Sequence, residues 1–339
     1  MGEHFACRKY ITGFDGSSGT ALIQRNWAGL WTDGRYFVQA AAQLEGSGIE
    51  LMKMGEPGVP TIEEYLEQHK PQQGILGFDG RVIHARMGED LQKRLESKDI
   101  SFAYTEALVG ELWEDRPALP FHPVWILEDQ YAGRSAAEKL AWLRQEMKKE
   151  HATIHLLTTL DDIAWLLNIR GNDIPHNPVV LSYMAVSMKE ILLFINPASV
   201  PQEVREYLTG LGVTLYPYQE IYTYVQELFH ERVLLEKEKV NYAIVKYLNE
   251  SNCILDKMNP EVMEKAQKTP AEIENLKNAH IRDGVAMTKF IYWMKHSIHT
   301  VSMNECDAAE HLNMLRRQQG ALDESFTTIS AYGANAAMC

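Results

Sequence analysis

The sequence predicts an α/β fold made of two copies of one domain, followed by the beginning of a third. Apolar runs of strand length alternate with helical patterns over the first 260 or so residues. Two units in this region share one order: a hairpin of two strands, then helix, strand, helix and strand. Each hairpin follows a glycine-bearing turn, at 12–14 in one unit and at 170–172 in the other. We therefore expect two tandem α/β domains with mixed sheets.

The first unit is assigned to residues 1–121. Asp33 caps its first helix, and Thr61 with Glu64 forms a capping box before the next one. Its strands are predicted at 20–23, 30–32, 49–54, 75–78 and 100–104, and its helices at 33–44, from 61, and at 85–97. A proline-rich stretch at 115–120 marks its end. Compared with the second unit, it lacks an opening strand and helix.

The second unit is assigned to residues 122–260. Ser135 and Glu138 form a capping box, and helical spacing of apolar residues follows. Its strands are predicted at 153–158, 179–187, 190–196, 213–216 and 233–235, and its helices at 135–147, 162–168, 202–208 and 220–229.

The third unit, residues 261–339, reads as the start of a domain. Thr269, Pro270 and Glu272 are typical of a helix start, and a second helix is expected at 302–319. Apolar or amphipathic positions predict a buried face on the first of these helices: Ile273, Leu276, His280, Ala286, Phe290, Trp293 and Met294. A strand is predicted at 326–331. One strand and two helices cannot bury both faces of a sheet, so we expect an incomplete domain.

Composition narrows the classes of partner. The net charge is −13 with no Lys/Arg-rich face, which disfavours nucleic acid and anionic membranes. The four cysteines are scattered and form no CxxC pair, which fits a reducing compartment. No signal peptide and no apolar run of membrane length occur. We expect a cytoplasmic protein.

Few residues suggest chemistry by pattern alone. Asp161 and Asp162 could hold a metal, but a helix cap is favoured because an apolar helix follows directly. The glycine-rich stretch 13–20 precedes a strand rather than a helix, which favours a structural turn over a phosphate loop. His176 lies in a turn-rich loop, and a structural role is favoured for it over substrate binding. His311 follows Glu310 but has no HExxH partner.

Several segments together resemble the long, three-domain Xaa-Pro aminopeptidases of the creatinase/prolidase "pita-bread" metallopeptidases. The resemblance rests on 10–14, 16–20, 30–36, 161–175, 268–273, 283–286 and 330–337. It implies two creatinase N-terminal-type domains followed by a pita-bread catalytic domain. It also implies removal of an N-terminal residue from peptides whose second residue is proline, with two divalent metal ions, usually manganese, activating water.

The family's metal ligands are two Asp, one His and two Glu, and none of them matches a residue of this sequence. The family also has a further strand and helix before the motif at 10–14. We therefore expect a fragment that lacks family elements at both ends, has no catalytic or metal-binding residue, binds no metal and is inactive by itself. The alternative is a non-catalytic dimerising or binding module derived from the family.

The candidate substrate-binding residues are Arg170, Asn172 and Asp173, in the most recognisable loop. In the full-length enzyme they would contact a proline-containing peptide at the entrance, and the two front domains would support a homodimer. The other interpretation, that this loop only maintains the fold of the second domain, stays open.

Overall fold

The computed structural model describes residues 2–69, 73–96, 99–105 and 107–337. It confirms the α/β fold with two similar units and mixed sheets. The strands are β1 (Thr20–Gln24), β2 (Trp27–Thr32), β3 (Glu50–Lys53), β4 (Gln73–Gly77), β5 (Asp99–Ala103), β6 (Trp125–Ile126), β7 (Ile154–Leu157), β8 (Ile169–Arg170), β9 (Ser182–Ser187), β10 (Ile191–Ile195), β11 (Val213–Tyr216), β12 (Arg232–Leu235) and β13 (Cys253–Asp256).

The nine predicted helices form, with ends shifted by a few residues. The helices are α1 (Cys7–Thr12), α2 (Phe37–Gln43), α3 (Ile62–His69), α4 (Ala85–Leu95), α5 (Leu108–Leu112), α6 (Asp129–Ala132), α7 (Ala136–Lys149), α8 (Leu160–Leu167), α9 (Gln202–Gly210), α10 (Ile221–Gln226), α11 (Tyr242–Tyr247), α12 (Pro260–Ala266), α13 (Pro270–Ser297) and α14 (Glu305–Gln318). The short helices α1, α5, α6, α11 and α12 were not predicted. The three predicted capping boxes form, at Thr61, Ser135 and Thr269. No described helix has the length and apolar character needed to cross a bilayer.

The second unit is built on a continuous mixed sheet in the order β11-β10-β9-β7-β12-β13. Its central strand β7 runs antiparallel to β9 and parallel to β12. All four β7 residues are buried, because helices cover both faces of the sheet. Two elements within the predicted bounds of this unit were not predicted: α11 and β13 follow β12, and β13 is an edge strand that pairs with β12 in parallel.

The sheet of the first unit is divided into two parts. One part has the order β1-β2-β3, and the other pairs β4 with β5. The strand directions match those of the second unit, since β1 and β2 are antiparallel while β2–β3 and β4–β5 are parallel. Within the described residues, no strand occupies the position between β1 and β4 that β7 holds between β9 and β12.

The two units meet through equivalent segments. His84 caps α4 and Asn241 caps α11, and these two residues form an antiparallel bridge with each other. Four backbone hydrogen bonds repeat this relation in reciprocal pairs: Ala85 N to Val240 O, Tyr242 N to Ile83 O, Arg86 N to Lys237 O and Ala243 N to Gly80 O. Such reciprocity is the mark of a local two-fold relation between duplicated units.

The third unit differs from two expectations. Residues 326–331 form no strand, because a strand needs a hydrogen-bonded neighbour and none lies beside them in the described chain. Of the seven α13 positions expected to be buried, only Ala286 is. The reason is that α13 packs mainly against α14 and the short α6, which leave most of its circumference open.

A buried ion pair connects the core of the second unit to α12. His155 in β7 and Glu261 in α12 are both fully buried, and Nε2 lies 3.3 Å from Oε2. The other ring nitrogen of His155 lies 3.0 Å from the carbonyl oxygen of Leu234. Burial works to lower the pKa of His155, but the Glu261 charge and these hydrogen bonds outweigh it and raise the pKa above its ordinary value. The pair attaches the helix that leads into the third unit.

We expect His155→Gln to lower the free energy of unfolding by about 3–5 kcal/mol, because it leaves a buried carboxylate without its cation. Because the folded-state pKa of His155 is raised, its stabilising contribution is complete below about pH 6.5. This stabilising contribution is lost as the pH rises through the folded-state pKa of His155. Urea unfolding at pH 5.5, 7 and 8.5 measures the effect. The double variant His155→Gln/Glu261→Gln is the control and should recover much of the loss; equal stability of wild type and His155→Gln at all three pH values would contradict the pairing.

Candidate functional site

The three residues predicted to bind substrate lie at the end of β8, which is Arg170, and in the loop that follows it, which carries Asn172 and Asp173. Asn168 ends α8 in the left-handed conformation, with φ of 50°, and this turns the chain into β8 and the loop. Asp173 is buried, and its carboxylate accepts hydrogen bonds from the backbone N–H of His122 at 3.0 Å and of Leu181 at 2.9 Å. Asp173 therefore attaches both the preceding linker and the following strand to the loop.

Arg170 also makes its hydrogen bonds inside the second unit. Its Nη1 donates to the carbonyl oxygens of Ala164 and Ile169, both at 2.9 Å. Burial lowers the pKa of the guanidinium, and the charge of Glu272 partly offsets this. These contacts favour the interpretation that Arg170 stabilises the turn after α8, and they leave its substrate-binding role a prediction.

Asn172 is different from its two neighbours. It is exposed, and its side chain makes no hydrogen bond with the described part of the chain. Of the three predicted residues it is therefore the one whose amide is available to a ligand.

The same loop reaches the third unit through His176. Its Nε2 lies 3.1 Å from Thr327 Oγ1, and its Nδ1 lies 3.6 Å from a carboxylate oxygen of Asp323. His176, Asp323 and Glu324 bring one potential metal-ligand atom each within 4.8 Å of one another. Loop and third unit thus meet at a cluster of polar groups that the sequence did not predict.

This cluster does not suit the two-metal centre that the family implies. Glu324 already accepts hydrogen bonds from Asn313 and Thr328, and Asp323 accepts one from the Glu324 backbone. Three partly exposed donors cannot supply two ions with the several anionic oxygens that such centres use. Among the described residues no other group of three or more such side chains converges.

Asp161 and Asp162 do not cap a helix, contrary to the interpretation favoured from the sequence. Helix α8 begins at Leu160 with Thr159 at the N-cap, so both acids lie within its first turn. Both contact Lys265 Nζ, with Asp162 Oδ1 at 2.6 Å. Burial works to lower the pKa of Lys265, but its hydrogen bonds to the two carboxylates outweigh this and raise the pKa. The pair therefore binds α12, and its proximity to the positive end of the helix dipole is favourable.

The glycine-rich stretch at 13–20 is a structural turn. Gly13 ends α1 with φ of 74°, and Arg8 donates to the carbonyl oxygens of Gly16 and Gly19. Its carbonyls face an arginine, whereas a phosphate loop presents N–H groups. His311 stacks on Trp293 with ring centroids 3.8 Å apart, on the surface of α14.

Sequence analysis missed the buried Lys139. Its Nζ donates to Asn168 Oδ1 at 2.6 Å and to the Trp165 carbonyl oxygen at 2.9 Å, so it secures the start of the candidate loop. Burial lowers the pKa of Lys139 to about 8. The signal was present in the sequence, since Lys139 lies on the same helical face as Leu140 and Leu143.

Comparisons with known proteins agree with this architecture along the whole chain. Residues 6–112 and residues 115–272 each match a creatinase/prolidase N-terminal domain, and residues 274–339 match metallopeptidase family M24. The chain thus consists of two creatinase/prolidase-type N-terminal domains and part of an M24 metallopeptidase domain.

Individual similar proteins identify the family within the M24 metallopeptidases more closely. The chain is 34% identical to aminopeptidase P2 of Arabidopsis thaliana over 100% of its length and 52% of the relative's. It is 35% identical to Xaa-Pro aminopeptidase 1 of Dictyostelium discoideum, over 98% of this chain and 55% of that one. The crystal structure of a Caenorhabditis elegans X-prolyl aminopeptidase, described as a cytosolic enzyme with a di-nuclear active site, superposes with a TM-score of 0.92 at 31% identity, covering 98% of this chain and 55% of that one. The chain belongs to the Xaa-Pro aminopeptidase family and spans about half the length of these relatives.

We expect Asp173→Ala to lower the free energy of unfolding by about 2–3 kcal/mol, because the buried N–H of Leu181 and the partly buried N–H of His122 lose a charged acceptor. The matched control is Asn172→Ala, one residue away and exposed, which should stay within about 0.5 kcal/mol of wild type. Urea unfolding monitored by tryptophan fluorescence measures both. A similar stability for the two variants would show that Asp173 does not maintain the loop.

Proposed function

We propose that this chain is the scaffold portion of a metal-dependent Xaa-Pro aminopeptidase, which removes the N-terminal residue from peptides with proline in second position. The observation that carries the proposal is the match over nearly the whole chain, in one order of domains, to proteins named for this activity. The di-nuclear active site of the C. elegans enzyme supports two divalent metal ions in the complete enzyme. Manganese is our proposal for their identity.

The metal-binding chemistry is assigned to a part of the family architecture that residues 1–339 do not contain. Support comes from the absence of the five family ligands in the sequence and from the unsuitable donor set at His176. Residues 1–339 alone are therefore proposed to be inactive and free of bound metal.

The two front domains are proposed to shape the entrance through which a peptide reaches the catalytic domain. The contact of His176 with Thr327 supports this, because it joins the loop carrying Asn172 directly to the M24 portion. The exposed amide of Asn172 is the group we propose to contact the peptide. We further propose a cytoplasmic location, no nucleic-acid or membrane partner, and self-association as a homodimer.

A non-catalytic binding module is the second candidate function. It is favoured by one observation, a cavity of about 1190 Å³ between strands of the first unit and the neighbouring second unit. The two candidates differ in whether any form of this polypeptide hydrolyses peptides.

Hydrolysis of Arg-Pro-Pro in the presence of Mn²⁺ tests the assignment. Residues 1–339 alone should show no turnover above buffer, while a complete relative such as the C. elegans enzyme serves as the active control. A form of this protein extended by an M24 domain with the family's metal ligands should cleave the Arg-Pro bond and lose activity with a chelator.

Turnover by residues 1–339 that a chelator abolishes would contradict the proposed inactivity. An extended form that binds metal yet cleaves no Xaa-Pro peptide would contradict the aminopeptidase assignment and favour the binding module.

A further inference from the structure

The buried pair of His155 and Glu261 lies at the start of α12, the short helix that precedes the M24 portion. Glu261 is in the first turn of α12, and α13 begins at Pro270, a few residues after α12 ends at Ala266. Both paired side chains are 0% exposed, and Nε2 of His155 lies 3.3 Å from Oε2 of Glu261. The pair therefore joins the central strand of the second unit to the segment that leads into α13.

The hydrogen bonds of the His155 ring determine where its protons lie. Nδ1 is 3.0 Å from the carbonyl oxygen of Leu234, which can only accept, so Nδ1 carries a hydrogen. Nε2 faces the carboxylate of Glu261, so this contact is favourable only while a proton lies between Nε2 and Oε2. When that proton is lost, the ring keeps its Nδ1–H and presents the Nε2 lone pair to a carboxylate oxygen. The contact then becomes repulsive in a site that solvent does not reach.

The first turn of α12 has little else to hold its polar groups in the core. Oε1 of Glu261 makes no hydrogen bond with the described part of the chain, and neither does the buried Oδ1 of Asn259, the N-cap of α12. A buried carboxylate without a cation is costly, and moving it into water removes that cost. The last turn of α12 differs, because Glu264 forms a partly exposed ion pair with Arg134. The first turn is therefore the part of α12 that depends on the shared proton.

The charged groups on the elements around the pair have partners of their own, and β9 carries none. They are Asp161 and Asp162 of α8 with Lys265 of α12, Glu264 with Arg134, Glu236 after β12 with the backbone N–H of Asn259, Lys139 of α7 with Asn168, and Arg232 of β12 with the carbonyl oxygen of His151. Asp162 also raises the pKa of His155 through its negative charge. Among these described groups, none replaces His155 as the cation beside Glu261.

We propose that the His155–Glu261 pair is a proton-dependent switch, which holds the first turn of α12 in the core of the second unit while the shared proton is present and releases that turn to solvent when the proton leaves. The turn is thus bound at low pH and released as the pH rises through the raised pKa of His155. The sheet keeps its pairing, while the M24 portion loses one of its attachments to the second unit. Another attachment remains, because the side chain of Asn275 in α13 donates to the carbonyl oxygen of Gln130 at 3.1 Å.

Hydrogen exchange of residues 1–339 between pH 6 and pH 9 tests the switch, with exchange rates corrected for their intrinsic dependence on pH. We expect the protection of the α12 amides to fall by at least about tenfold relative to the amides of β7 and α7. The reason is that each pH unit above the pKa of the pair shifts the equilibrium towards the deprotonated form by about tenfold. The strands and α7 should keep their protection, because the release is local.

Glu261→Gln is the variant that should abolish the pH dependence. The carboxamide has nearly the shape of the carboxylate, and its N–H can donate to the lone pair that neutral His155 presents at Nε2. The α12 amides of this variant should keep their protection from pH 6 to pH 9. Lys139, whose pKa is about 8, also titrates in this range, but its effect would persist in Glu261→Gln. The matched control is His151→Asn, which removes an exposed histidine just after α7 and suits the φ of 55° there; it should keep the pH dependence of wild type.

Three outcomes would overturn the proposal. The α12 amides of wild type keep their protection up to pH 9, or the amides of β7 lose protection together with them, which would indicate global unfolding. Alternatively, Glu261→Gln shows the same pH dependence as wild type. The first two outcomes need only the wild-type protein, so they do not depend on the folding of a variant. A fall in protection that is confined to α12, abolished in Glu261→Gln and kept in His151→Asn supports the switch. None of these outcomes depends on peptidase activity, so the result is independent of the proposed function.

Discussion

The central strand β7 is the element on which the second domain depends. It pairs along both edges, all four of its residues are buried, and its His155 forms the fully buried pair with Glu261. A strand in this position satisfies the backbone polar groups of two neighbours at once and closes the apolar core between the helices on either face. The same strand therefore determines sheet continuity, core burial and the attachment of α12.

In the described part of the first domain, β1-β2-β3 and β4-β5 form two separate sheets. These strands keep the directions and the order of the second domain, so the local pattern of strands and helices suffices to form each half of the sheet. Helices and loops join the two halves, while the reciprocal backbone contacts near the starts of α4 and α11 join the first domain to the second. Ile23 of β1 and Ile75 of β4 are exposed in the described structure.

Charged side chains that are hydrogen-bonded inside the second domain stabilise the conformation of the candidate loop. Asp173 binds two backbone N–H groups, Arg170 binds two carbonyl groups, and Lys139 holds the residue that turns the chain. Buried charges of this kind are costly unless every polar atom has a partner, which is why they stabilise one loop conformation. That conformation presents Asn172 to solvent and His176 to the M24 portion, so the second unit and the M24 portion share a contact region.

Local signals in the sequence determined the type of the longer elements, the three capping boxes, the duplicated order and the family. Each of these depends on spacing or on short motifs, and such signals act within a few residues. Only the tertiary structure decided what depends on contacts distant in the chain. It showed that Asp161 and Asp162 bind Lys265 instead of capping α8, and that residues 326–331 form no strand. Burial and strand pairing depend on residues that are distant in the sequence and become neighbours only on folding. No regular spacing in the sequence indicates such contacts.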